Sequence, residues 1–168
     1  QSVAVAEGVQ RLVAAKLALY ERGLFVLAMG AREHLADPPS QMPESLRRAR
    51  QGLMARNPEL LSISVVDDKG VPLWDGEGDA EFSTWALSSP GQRVSQLRIG
   101  ELDLRPGPQR TLRVAVQAAP GYWVLARLDN RVLQTVAEGW DAGDHGVVTI
   151  VTRSGQVLAN TVQPEVIV

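Results

Sequence analysis

The chain has 168 residues, of which 45% are hydrophobic, 21% charged and 5% aromatic. This is the composition of a folded domain, and it excludes disordered, collagen-like and low-complexity polymers. Net charge is −2, with eight basic and five acidic side chains in residues 1–57 and nine and fourteen in 58–168. So balanced a charge excludes a nucleic-acid-binding face. There is no cysteine, which removes disulfides, thiolate metal sites and cysteine nucleophiles. No run of 18 apolar residues spans a membrane. Gln1 is not an initiator and a helical pattern already runs by Val3, so a longer protein is expected, its leader or anchor outside this sequence.

Residues 2–36 lack proline and carry two apolar rows at helical spacing. One is Val9, Val13, Leu17, Tyr20, Leu24 and Leu27; the other is Val5, Leu12, Leu19 and Val26. Asp37-Pro38-Pro39 ends the helix. Its length of about 51 Å exceeds a compact globule of this size, about 40 Å across. Part of it should stand out or pair with a second helix. The second row therefore marks a seam for a homodimer, or is covered by the rest of the chain. A shorter helix is expected over 40–57, stopped by Asn57-Pro58.

The period then changes to two. Leu61, Ile63 and Val65 alternate with serines, Asp67-Asp68-Lys69-Gly70 is a turn, and Val71–Trp74 reads as the returning strand. Residues 75–92 form a polar loop carrying Phe82, Trp85 and Leu87; its acids, Glu77, Asp79 and Glu81, read as a wet loop. Strands are expected at 93–99, 111–118 and 122–128, then a helix over 130–139 capped by Asp129. Val147–Asn160 echoes the earlier hairpin, "VTIVTRSGQVLA" against "ISVVDDKGVPLW". The expected fold class is α+β, a long N-terminal helix packed on a five-stranded antiparallel sheet. Residues 1–38 are its long helix, 39–129 the main module, and 130–168 a connecting helix with the hairpin of a second, incomplete module.

The long helix, "PELLSISVVDDKGVPLW", "VSQLRIGELDLRPGPQRTLRVAVQA" and "GYWVLARLDNRVLQTVAEGW…GVVTIVTRSGQVLAN" together resemble the extracytoplasmic Cache (PAS-like, double-Cache) sensor domains of bacterial membrane receptors. The resemblance covers most of residues 1–160. It implies a PAS-like fold, a periplasmic location, and a sensor feeding a histidine kinase, a diguanylate cyclase or a chemotaxis transducer. It also implies anchoring to the membrane through segments outside this sequence. The family's aromatic motif ahead of the third strand has no counterpart in 75–92, where Trp85 is the large side chain.

No constellation for catalysis stands out: there is no nucleophile elbow, zinc-protease helix or phosphate loop. Asp141, Asp144 and His145 have metal-ligand chemistry, but a solvated connector between Gly139 and Gly146 explains them as well. No metal or cofactor is expected. The candidate ligand-binding residues are Arg98, Arg113, Trp123 and Arg127, which alternate with the apolar row of the central strands, and Trp85 in the loop over them. If they share a face, three guanidiniums and two indoles converge, and guanidiniums suit a carboxylate. A sheet with one solvated face satisfies the same alternation. The function expected is ligand sensing, a small carboxylate being the candidate partner. The alternative is a dimerisation or protein-interaction module whose pocket is empty.

Overall fold

The computed structural model describes residues 2–87, 93–94, 97–100, 111–129, 149–151, 157–160 and 166–167. Helix α1 runs unbroken over Ser2–Arg32 and α2 over Glu44–Arg56. Strand β1 (Leu60–Asp67) is followed by a short helix, α3 (Phe82–Ala86), then by β2 (Arg93–Val94), β3 (Leu97–Ile99), β4 (Thr111–Ala119) and β5 (Tyr122–Asp129). The sheet order is β1-β5-β4-β3-β2, antiparallel throughout. Four strands carry it, and β2 adds two residues at the edge.

The expected helix-on-antiparallel-sheet architecture is therefore present, but its strands are not the set the alternation suggested. Val71–Trp74 is no strand: it touches β1 through a single bridge, Val66 to Pro72. Pro72 has no N–H to extend a ladder, and Gly76, at φ +110°, turns the chain away. The single strand expected over 93–99 is instead two short strands paired with each other, Val94 opposite Leu97. The turn at 67–70 forms as expected. The Asp67 carboxylate accepts from the N–H groups of Lys69 and Val71 at 2.8 and 3.0 Å.

One face of the sheet makes the main core. Leu112, Val114 and Val116 of β4, Val124, Ala126 and Leu128 of β5, and Ile63 and Val65 of β1 pack against Leu17, Tyr20, Leu24, Leu27, Ala28 and Ala31 of α1. The first helical row is thus buried where its side chains are described, at Leu17, Tyr20, Leu24 and Leu27. The second is open where its side chains are described: Leu19 is 52% and Val26 67% exposed, beside exposed Phe25 and Met29. The side chains of Val5, Val9, Leu12 and Val13 lie outside the described residues. Gly23 lets α2 lie close on α1, since a β-carbon there would come within 2.7 Å of Leu53. Tyr20 anchors the same helix by donating to the Glu59 carboxylate, which also pairs with Lys16.

A separate three-stranded sheet has the order β7-β6-β8, with β6 at Thr149–Val151, β7 at Val157–Asn160 and β8 at Val166–Ile167. Its β6–β7 pairing is the hairpin that the repeat in the sequence suggested. The parallel strand β8 was not anticipated. The helix expected over 130–139, with Trp140, Asp141, Asp144 and His145, lies outside the described residues.

Candidate functional site

The opposite face of the main sheet holds the five candidate residues. Cross-strand neighbours share a face, and the register sets Arg113 opposite Arg127, Gln117 opposite Trp123, and Arg98 opposite Ala115. Arg98, Arg113, Trp123 and Arg127 therefore lie on one side. Trp85 reaches the same face from α3, its ring lying over Gly100 at the end of β3, where a β-carbon would sit 2.7 Å from the indole. A second apolar cluster fills this side: Val66, Phe82, Trp85, Ala86, Ala115, Trp123 and Leu125. Phe82 meets the Trp85 and Trp123 rings edge-on, at centroid distances of 5.2 and 5.7 Å.

The middle of this face is covered, although Gln117 at its edge is exposed and Arg98 half-buried. Arg113 is 6% and Arg127 7% exposed, and Trp123 is buried. The cover is the segment 75–81, which the sequence suggested was a wet loop. It crosses the sheet as a strap, pairing acids with arginines in order. Asp75 takes two hydrogen bonds from Arg50 of α2, at 2.9 and 3.1 Å. The Glu77 carbonyl accepts from Ser64 of β1 at 2.7 Å, and its carboxylate pairs with Arg127 of β5 at 3.2 Å. Asp79 pairs with Arg113 of β4 at 3.0 Å. The strap thus passes over β1, β5 and β4, the order in which those strands lie in the sheet.

Asp79 is the hub. It is 5% exposed, and besides Arg113 it accepts from the Trp85 indole at 2.8 Å and the Glu81 backbone N–H at 2.9 Å. Its own N–H donates to the Gly70 carbonyl at 2.9 Å. That contact fixes the strap to the tip of the β1 turn. Gly70, at φ +80°, has no room for a side chain there, since a β-carbon would lie 1.9 Å from the Asp79 carbonyl oxygen. Gly76 likewise passes over Ser64, with 2.8 Å left for a β-carbon.

Both indoles are held in the same manner. The Trp123 N–H donates to Asp68 at 3.0 Å, and the Arg98 guanidinium lies 6.0 Å from its ring centroid. Arg113 lies 5.4 Å from the Trp85 centroid. The acidic partners that neighbouring arginines need come from the chain itself for two of them, Asp79 for Arg113 and Glu77 for Arg127. Asp79 and Glu77 are the residues sequence reasoning missed. Their signal was acids at 75, 77 and 79, a period of two ahead of three strand arginines.

Charge shifts outside this face follow local contacts. The Arg50 hydrogen bonds hold the Asp75 carboxyl below the usual range. Burial opposes ionisation of Glu59, yet the Tyr20 hydroxyl, a backbone N–H and the Lys16 ammonium together keep its carboxyl low. Burial and then the Glu59 hydrogen bond push the Tyr20 hydroxyl far up. A polar cleft of about 640 Å³ opens beside the start of the strap, lined by Gln41, Met42, Glu44, Arg47, Trp74 and Asp75 among others; none of the five candidate residues lines it. Among the described residues no group of three or more metal-ligating side chains is placed to hold an ion, and no helix is long and apolar enough to cross a membrane.

No protein-family model matches the sequence, and no curated protein matches it. Solved structures do. The extracellular domain of rpHK1S-Z16, assigned as a histidine kinase, superposes with a TM-score of 0.57 at 14% identity, covering 95% of this chain and 67% of that one. The ligand-binding domain of the Pseudomonas aeruginosa PAO1 amino acid chemoreceptor PctC, in complex with GABA, gives 0.52 at 17% identity, covering 94% and 70%. The long helix packed on an antiparallel sheet is thus a fold this chain shares with these two extracellular domains.

Proposed function

We propose that this chain is the extracytoplasmic ligand-sensing part of a bacterial membrane receptor, itself non-catalytic, and that it binds a small organic carboxylate on the strap-covered face. The observation that carries this reading is the buried cross-strand pair Arg113 and Arg127, with Arg98 on the same face and two indoles beside them. Guanidinium groups recognise carboxylates through paired, charge-assisted bonds, and the Trp85 and Trp123 rings offer flat apolar walls. Of the two similar solved domains, one is the extracellular domain of a histidine kinase and the other a chemoreceptor's ligand-binding domain in complex with GABA, itself a small carboxylate, which supports this assignment. Residues 130–168 would begin a second module, and anchoring would come from segments beyond this sequence.

Calorimetric titration with small carboxylates, amino acids and amines tests the reading. Saturable binding of a carboxylate that Arg127→Gln weakens about tenfold, one charge-assisted bond's worth, is expected. Amines that bind while carboxylates do not would refute it. A second reading has its own observation. The exposed row Leu19, Phe25, Val26 and Met29 on α1 suits a homodimer, which would make the chain an interaction module whether or not the arginine face takes a ligand.

A further inference from the structure

The proposed site already contains two carboxylates, and the chain itself supplies them. Arg113 and Arg127 stand directly opposite each other on β4 and β5. Each holds one acid of the strap, Asp79 at 3.0 Å and Glu77 at 3.2 Å. The two acids are two residues apart, so the arginine pair grips them as it would grip the ends of one short molecule. Resting on the reading above, we infer that Glu77 and Asp79 are an internal ligand: the site is matched to a small molecule bearing two carboxylates, which binds by displacing the strap.

The two ion pairs differ in a way that orders the exchange. The Glu77 side chain is 60% exposed while Arg127 is buried, so water competes for the Glu77 carboxylate and makes it the more easily released of the two acids. An incoming carboxylate takes Arg127 first. Asp79 is buried with Trp85 and Arg113, and drawing it out would cost much unless Arg113 kept an anionic partner. The second carboxylate of the ligand is that partner. A monocarboxylate completes only the first exchange. Withdrawal of Asp79 also removes the acceptor of the Trp85 indole and the N–H bonded to Gly70, so the event reaches both α3 and the β1 turn.

The test titrates succinate and glutarate, with propionate as the monocarboxylate control, into the chain and into a Glu77→Gln/Asp79→Asn variant. Both substitutions keep shape and remove the competing charge. The dicarboxylates should bind the variant about tenfold more tightly than the parent, the difference made by one lost charge-assisted competitor. Glu77→Gln alone, at its exposed position, should give part of that gain. In the parent, the Trp85 indole N–H resonance should move on saturation with dicarboxylate. Dicarboxylates that bind parent and variant equally, or propionate that binds as tightly as glutarate, overturn the internal-ligand inference and leave the site reading standing. If no carboxylate binds either protein, both fall.

Discussion

Removing the Arg113 guanidinium while keeping its length, as in Arg113→Met, should destabilise the domain strongly. Asp79 would retain two neutral donors, the Trp85 indole and the Glu81 N–H, but would stand as a charge at 5% exposure without its guanidinium. Breaking one side of a buried pair costs about 3–5 kcal/mol, and the two surviving donors argue for the lower end. In a chain of this size each kcal/mol moves the melting temperature by about 2–4 °C, so a drop of roughly 6–12 °C is expected. Adding Asp79→Asn removes the stranded charge and keeps both donors satisfied, so the double variant should recover at least half of the loss. Urea denaturation of the parent, both single variants and the double variant measures the coupling. A loss below about 1 kcal/mol for Arg113→Met would sink the argument, because water would then have to reach Asp79. Strictly additive single effects would refute the pair as the source.

Three further outcomes follow from the packing. Leu19→Glu with Val26→Glu should abolish any self-association seen by sedimentation at high concentration while leaving the fold intact, because both positions are exposed in the single chain; a parent that is monomeric throughout rules the α1 seam out. Glu59 has its carboxyl held low on folding, so it adds stability above its unfolded value near 4.3 and loses it as pH falls through the lower folded value. Tyr20→Phe should therefore flatten the acid limb of a stability–pH curve, and an unchanged limb would show that the hydroxyl does not set it. Gly100→Ala, whose new β-carbon would press the Trp85 ring at 2.7–3.0 Å, should cost about 1–3 kcal/mol, measured by thermal melting, and a neutral result would mean α3 is free to lift.

The long helix, its buried row and the parity of the central strands were legible because each is a local periodicity. Val114 and Arg113 could be assigned to opposite faces from spacing alone, and the register bears that out. The fate of 71–86 was not legible. Val71-Pro72-Leu73-Trp74 has strand composition, and only Pro72, with no N–H for a ladder, argued against it. Polar residues and glycines made 75–79 look solvated, whereas Gly76 and Gly78 are there because the strap lies too close to Ser64 and Gly70 for side chains. Burial of Asp79 depends on Arg113, 34 residues away, and no window of sequence contains both. Composition fixes how polar a segment is, but the partner that makes a buried charge tolerable is set by topology.

The same strands that carry the arginines also pack against α1, so a displaced strap would act on the helix through them. On β4, Arg113, Ala115 and Gln117 face the strap side, while Leu112, Val114 and Val116 face Leu24 and its neighbours in α1. A close-packed strand cannot shift one face without moving the other. Energy limits how far such a signal can go. Driving a two-state equilibrium from 1:99 to 99:1 takes about 5.5 kcal/mol of differential binding, and only interactions that differ between the two states contribute. Exchanging a strap carboxylate for a ligand carboxylate replaces one guanidinium bond by another, so it contributes little by itself. The differential must come from what the strap gives up and what the ligand adds: the Asp79 bonds to Trp85 and Gly70 on one side, and apolar contact with the two indoles on the other. A ligand that only matches the two carboxylates would bind weakly and shift α1 little. One that also makes apolar contact with Trp85 and Trp123 in place of the strap would offset the lost Asp79 bonds, so chain length between the carboxylates should govern signal strength more steeply than charge does.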